Sequence, residues 1–361
     1  MGRVKLGDIA RECRLTYTGN KSGIPIVGLE HLTPGDIVLH SWDIDTDNTF
    51  NKFFKKGQVL LGRRRVYLKK AAVAPFDGIC SGDITVIEAI PERLQPELLP
   101  FIIQNDRFFE FAIVGSAGSL SPRVKWEYLK DYEIELPDLR KQSELVELLK
   151  SANELKHAYQ KMLTATDEMV KSQFIEMFSG REYPQLPIRD FADITTGSTP
   201  SKSHPKYWGG SNPWVSAEDM KDKYVYDTVE KVTDKGYATC KHIPVNTLMY
   251  VCRGSIGVMA INKVECATNQ SICTATCKAD KCEVEFLYHS LLYKKDEIKQ
   301  IGIGTNFKSL NQTTFSNLRI FLPPIEEQRR FVSVTTQADK SKFELKQAIE
   351  KIDKVMQTLM R

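Results

Sequence analysis

The chain has 361 residues, 42% hydrophobic and 27% charged, with 50 Lys and Arg against 46 Asp and Glu for a formal net charge of +4. That length exceeds one ordinary core and predicts two domains, while the mild basicity permits a nucleic-acid partner without requiring one. No apolar run approaches the roughly 20 residues of a membrane span. No secretory leader precedes the eight cysteines and none has C-x-x-C spacing, so reduced thiols in a cytoplasmic protein are expected. A zinc site from Cys266, Cys273, Cys277 and Cys282 would need tighter paired spacings, and burial as small apolar residues is the expectation.

VKLGDIA (4 to 10) predicts a short strand or turn entering a first domain. IPIVGLEHL (24 to 32) follows, and then GQVLLGRRRVYLKK (57 to 70). The runs Gln58 to Leu61 and Ile84 to Ile87 read as strands, broken by the cluster Pro75 to Gly82. A glycine-containing loop (VGSAGSLSP, 114 to 122) leads to a short amphipathic helix and a strand, YEIEL (132 to 136), which Pro137 ends because it lacks the ladder donor.

From about Arg140 to Phe178 the apolar positions Leu145, Leu148, Ala152, Leu155, Tyr159, Met162, Thr166, Met169 and Gln173 alternate steps of three and four, the rhythm of a coiled-coil seam. A helix of about 39 residues would be close to 60 Å long. One narrow stripe on so long a rod needs a partner of similar length.

The second half repeats the first. LPIRDFA (186 to 192) answers VKLGDIA, NPWVSAEDM answers IPIVGLEHL at an offset of 188, and NTLMYVCRGSIGVM answers GQVLLGRRRVYLKK at an offset of 189. Thr247 to Cys252 and Ser271 to Thr276 read as strands, Thr196 to Pro200 as a break, IGIGTNFKSL (301 to 310) as the glycine loop and RIFL (319 to 322) as the strand before Pro323. From Glu326 to Arg361 runs a second seam, Phe331, Val334, Ala338, Ser341, Leu345, Ala348, Ile352, Val355 and Leu359, which matches the first position by position at a constant offset of 186. Matched registers predict an antiparallel pair of helices rather than two independent surface helices.

SLSPRVKW (119 to 126) with YEIELPDLRKQSELVELL (132 to 149), and GTNFKSLNQTTFSNLRIFLPPIEEQRRF (304 to 331), resemble the two conserved regions of type I restriction-modification specificity subunits. TTGSTPSKSHPKYWGGSNPWVSAEDM (195 to 220) resembles the opening of a target recognition domain of that family, and Lys141 departs from the Glu-Gln pair that Glu327 and Gln328 keep. The resemblance covers nearly the whole chain. It implies an α+β fold with two pseudo-symmetric target recognition domains, 1–136 and 180–322, separated by a long antiparallel two-helix coiled coil from the conserved helices 137–179 and 323–361. It also implies a non-catalytic, sequence-specific DNA-binding subunit for a bipartite asymmetric duplex target. The partners implied are two adenine-N6 methyltransferase subunits and ATP-driven restriction subunits, with S-adenosylmethionine, ATP and Mg on the partners and no cofactor in this chain.

Reading DNA needs cations for phosphates and planar donors for base edges, and arginine supplies both. The densest source is Arg63, Arg64 and Arg65 with Tyr67, Lys69 and Lys70, on the turn leaving a strand, where alternate side chains would reach outward. Arg253 is the counterpart in the second half. Lys202, Lys206 and Tyr207 interleave with Trp208 and Trp214 among glycine and proline, Trp214 being read as core because it sits in an apolar run. Arg123 and Lys125, and Asn306 and Lys308 in the second glycine loop, complete the candidates. NPW at 212 to 214 lacks the second proline of an adenine-methyltransferase motif, and no phosphate-binding loop of the G-x-x-x-x-G-K-[ST] type occurs. A coiled-coil adaptor that binds only proteins is the alternative, and it leaves the arginine cluster unused.

Overall fold

The structure, a computed structural model, describes residues 2–118, 120–301 and 310–360. Contacts divide the chain into two compact units, Met1–Lys161 with Leu345–Arg361, and Met162–Glu344.

Unit 1 is built on an antiparallel sheet in the order Ala10–Cys13, Ile84–Ala89, Val59–Gly62, Ala71–Val73. All four residues of Val59–Gly62 are buried, which suits a central strand covered on both faces. A second sheet pairs Pro25–Val27 with Gly78–Cys80 in parallel and with Asp43–Ile44 antiparallel. Gly2–Lys5 pairs with Glu133–Leu136, which places the start of the chain beside the strand that feeds the first long helix.

Unit 2 repeats this plan. Ala192–Thr196, Ile272–Cys277, Leu248–Val251 and Met259–Asn262 take the same order, extended by Tyr224–Val225. Trp208–Val215 pairs in parallel with Ala267–Thr268 and antiparallel with Lys231–Val232. Gln185–Pro187 pairs with Arg319–Phe321. Cys266, Cys273 and Cys282 are buried in its apolar clusters.

Each unit contains a stretch of both long helices, Leu139–Phe178 and Ile325–Leu359. In unit 1, Leu145 and Leu148 line a groove with Leu359 and Met360, while Lys156 meets Asp353 at 2.7 Å, so the two stretches run antiparallel. In unit 2, Asp167 meets Lys342 at 2.8 Å and the rings of Phe178 and Phe331 lie 5.7 Å apart, again antiparallel. Lys342 follows Lys156, and Asp353 follows Asp167, at the same offset of 186 that relates the two seams. The same ion pair is therefore made in each unit with the two helices exchanging roles.

The occluded stripe of the first helix differs from the expected seam. Leu148, Leu155 and Met162 are between 45% and 52% exposed, and Val355 of the second helix is 53% exposed. Buried instead on the first helix are Val146, Leu149, Val170 and Phe174; on the second helix the expected Phe331 and Ala338 are buried, together with Thr335. Val146 and Leu149 belong to the apolar core of unit 1, and Val170, Phe174 and Phe178 to that of unit 2. Packing onto globular cores as well as onto a helix moves the covered stripe to the adjacent position. Leu345, Ile352 and Leu359 remain partly buried.

Beside the helices the units diverge. Unit 1 has an open cleft of about 1070 Å³ lined by Gly35, Phe101, Asn153 and Lys156 among others. Unit 2 fills the corresponding place with charge: Lys223 lies 2.6 Å from Glu285 and 2.7 Å from Asp339, and the Tyr224 hydroxyl donates within 2.8 Å of both carboxylates. His289, at the position of Phe101, is 3.4 Å from the Lys223 ammonium. Burial first, and then Lys223, pushes the His289 imidazole down to about 3.

Leu149→Asp should destabilise unit 1 by several kcal/mol, on the order of 3 or more, whereas Leu155→Asp should cost less than about 1 kcal/mol; urea unfolding of both variants, with equal losses, would restore the expected register. A base with a depressed folded pKa contributes stability that is complete above its unfolded value of 6.5 and is lost as pH falls below it. Acidification to pH 5 should therefore cost unit 2 about 2 kcal/mol through His289. Hydrogen exchange over residues 284–293, corrected for its intrinsic pH dependence, should show that loss in the wild type and not in His289→Phe.

Candidate nucleic-acid interface

In unit 1 the strand Val59–Gly62 ends at Gly62, where an added Cβ would meet the Lys70 carbonyl at 3.3 Å. The small residue lets the chain turn back on itself there. Arg65 (φ 53°) and Lys69 (φ 51°) are left-handed and flank a single 3-10 turn, Val66–Leu68. This turn replaces the outward alternation expected of the run: Val66 is buried, and Tyr67 and Leu68 are exposed. Lys69 is paired with Asp106, and the Lys70 ammonium donates to the Leu29 carbonyl at 2.7 Å. These two lysines brace the turn.

Arg63, Arg64 and Arg65 run beside the glycine-loop segment. Arg65 N–H donates to the Pro122 carbonyl (2.8 Å) and Val124 N–H to that of Arg63 (3.0 Å), while Arg64 and Arg123 form an antiparallel backbone pair. Asp83 sits beneath them, accepting from Arg123 Nε at 2.7 Å and lying 3.5 Å from Arg64. The Arg123 hydrogen bond, reinforced by the charges of Arg123, Arg64 and Arg63, holds the Asp83 carboxyl below the ordinary range. Lys125 is exposed at the start of the helix Trp126–Leu129.

In unit 2, Lys202 lies 4.1 Å over the Trp208 ring and is paired with Glu230. Lys206 is exposed, 5.8 Å from the Tyr207 ring. Trp214 is buried with Val232 and Ala267, and its indole N–H donates to the Ser198 carbonyl at 3.1 Å. Arg253 is exposed just beyond the strand Leu248–Val251. Asn306 and Lys308 lie outside the described residues.

The structure thus brings Arg63, Arg64, Arg65 and Arg123 together. It gives Lys69, Lys70 and Lys202 partners within the fold. Sequence reasoning missed Asp83, whose partner Arg123 is far along the chain, and Ser121, which accepts from Arg64 Nε at 2.6 Å. It also missed Leu120, 91% exposed on the same loop. Among the described residues no cluster of three or more His, Cys, Asp or Glu could hold a metal ion, and no helix is long and apolar enough to cross a membrane.

A duplicated α+β scaffold, each copy presenting cation-bearing loops beside a stretch of paired helix, is the class this geometry defines. Residues 181–354 match the family model of the type I restriction modification DNA specificity domain. The curated proteins to which the chain is similar are specificity subunits of type I restriction enzymes. It is 29% identical over 201 residues to the MjaIX specificity subunit of Methanocaldococcus jannaschii, covering 51% of this chain and 46% of that one. It is 28% identical over 193 residues to the HindI specificity subunit of Haemophilus influenzae, covering 50% and 41%. The chain thus spans about half the length of these curated relatives. Its fold is similar to that of a type I restriction-modification S subunit from M. genitalium (TM-score 0.60, 14% identity, covering 100% of this chain and 96% of that one). A chain from a structural study of complex assembly and conformational transition of the type I R-M system is also similar (TM-score 0.59, 21% identity, covering 99% and 96%).

The aromatic cluster of unit 2 yields a stability test. Trp214→Ala should cost about 3–5 kcal/mol, and Lys202→Ala, an exposed cation, no more than about 1 kcal/mol. Chemical denaturation of the two variants checks the difference; a costly Lys202→Ala would make the cation part of the core's support.

Proposed function

We propose that this chain is the non-catalytic specificity subunit of a cytoplasmic type I restriction-modification complex. Its two target recognition domains, 1–136 and 180–322, each read one half of a bipartite, asymmetric duplex target. The conserved helices 137–179 and 323–361 form an antiparallel coiled coil that relates the domains pseudo-symmetrically and fixes the length of the unread spacer. The observation that carries this reading is the ion pair made twice with the helices exchanging roles, Lys156 with Asp353 and Lys342 with Asp167. A duplicated register of that kind suits two equivalent readers and two copies of one partner.

The partners are two adenine-N6 methyltransferase subunits, joined by ATP-driven restriction subunits. S-adenosylmethionine, ATP and Mg belong to those partners. Exposed apolar residues support a docking role for the helices: Leu148, Leu155 and Val355 in unit 1, and Met169 in unit 2. Single-molecule sequencing of modified bases, in a host carrying this chain with its methyltransferase, should reveal a split motif of constant spacer with an adenine marked in each half. Loss of this chain should erase those marks. Marks that persist without it, or no DNA binding by the complex at any salt concentration, would favour the protein-only adaptor.

A further inference from the structure

Both carboxylate oxygens of Asp83 are engaged. Oδ1 accepts from Arg123 Nε at 2.7 Å and Oδ2 from Arg123 Nη2 at 3.3 Å. Oδ2 also lies 3.5 Å from Nη1 of Arg64, whose Nε is taken by the Ser121 hydroxyl at 2.6 Å. Directly opposed residues of an antiparallel pair present their side chains to one side of the ladder, so Arg64 and Arg123 are neighbours over a single acid. Their side chains are 41% and 44% exposed while Asp83 is 19% exposed. The guanidiniums are thus held from behind and open in front: Nη2 of Arg64 and Nη1 of Arg123 are unengaged, and the neighbouring Nη of each, which carries two N–H groups and uses one, completes a two-donor edge.

This arrangement suits one kind of DNA contact better than the other. A phosphate is gripped by charge and tolerates many orientations, so a carboxylate between two guanidiniums weakens the grip by offsetting part of their charge. A base edge rewards a planar fork in a fixed orientation, and a fork already held loses less rotamer freedom on binding. The acid therefore costs general affinity and improves orientation. In unit 2, Arg253 is the counterpart of Arg64 at an offset of 189, but Ser271, at an offset of 188 from Asp83, stands where the acid would be. Arg253 has no carboxylate at that place to orient it.

We propose that Asp83 is a positioning residue for a base-reading arginine pair, Arg64 and Arg123, and that the half-site taken by this domain contains guanine where those forks meet the major groove. The inference rests on the chain being a DNA specificity subunit and adds what one of its domains reads. Arg253, in the other domain, is assigned to phosphate.

The test uses the full chain with its methyltransferase partner and a library of randomised duplexes. Wild type should enrich a split motif with a guanine in one half that Asp83→Asn no longer selects, while the other half and binding to non-specific duplex stay unchanged or slightly stronger. Replacing that guanine by 7-deazaguanine, which removes the N7 acceptor without altering the protein, should weaken wild-type binding by about 5- to 150-fold. The same replacement should leave Arg64→Ala/Arg123→Ala unaffected. Arg253→Ala should weaken all duplexes alike and reduce the salt slope by about 0.9. A half-site without guanine, indifference of wild type to 7-deazaguanine, or an Asp83→Asn that weakens every duplex equally would overturn the assignment while leaving the specificity reading intact. Failure of wild type to enrich any motif would overturn both.

Discussion

A buried carboxamide at the start of each long helix fixes how that helix leaves its domain. Gln142 accepts from the Gln95 N–H at 2.9 Å and donates to the carbonyls of Pro137 and Arg93 at 3.0 and 3.4 Å. Gln328 does the same with Glu283 N–H (3.0 Å) and the carbonyls of Pro323 and Lys281 (2.8 and 3.0 Å). One side chain thereby satisfies three backbone groups drawn from two segments, the turn before the helix and a loop of the domain. Among neutral side chains only Asn and Gln offer both an acceptor and two donors, and the longer reach of Gln spans from the first helical turn. Leaving such buried groups unpaired would cost about 1–3 kcal/mol each. Because the device recurs, the direction in which each helix departs is set by the same chemistry in both units.

Much of this was legible in the chain itself. The offsets of 186 to 189 marked the duplication, and the apolar runs located the central strands Val59–Gly62 and Leu248–Val251 to within a residue. The helix face was less legible. A seven-residue pattern drifts about 20° per heptad on a straight helix, so over this length Leu148 and Leu149, or Leu155 and Lys156, are nearly equivalent choices. Contact with globular cores decides between them, and that is a property of the tertiary structure. The basic run was legible as composition only. Nothing local distinguishes Lys69 and Lys70, which brace a turn, from Arg64, which meets its partner Ser121 far along the chain.

The two units also show what duplication leaves free to change. Where unit 1 has Gly35, Asn153 and Phe101 around an open cleft, unit 2 has Lys223, Asp339 and His289 in a closed network. Burying three or four ionisable groups contributes little as stabilisation alone, since well-packed apolar side chains often do as well. Its physical effect is directional: Lys223 can satisfy Glu285 of the domain and Asp339 of the long helix together in only a narrow range of geometries. Unit 1 relies there on apolar contact from Leu149, Met356 and Leu359, which is more tolerant of small shifts. At that place the second domain adds charge to the apolar seating that Phe174, Phe178 and Phe331 supply, and the first relies on packing alone.

Net charge is a weak guide to such a molecule because its cations serve two purposes that add with opposite consequences. Lys69, Lys156, Lys202, Lys223 and Lys342 are paired with acids within the fold, so they shape surfaces and add little to a long-range field. A protein that depended on long-range attraction would need those charges free. One that depends on a few oriented donors at a fixed separation can leave most of its charge internally balanced. It keeps specificity because orientation, unlike charge, is not screened by salt. A nearly even count of acids and bases is therefore the composition expected when the geometry of the scaffold, rather than its summed field, selects the site.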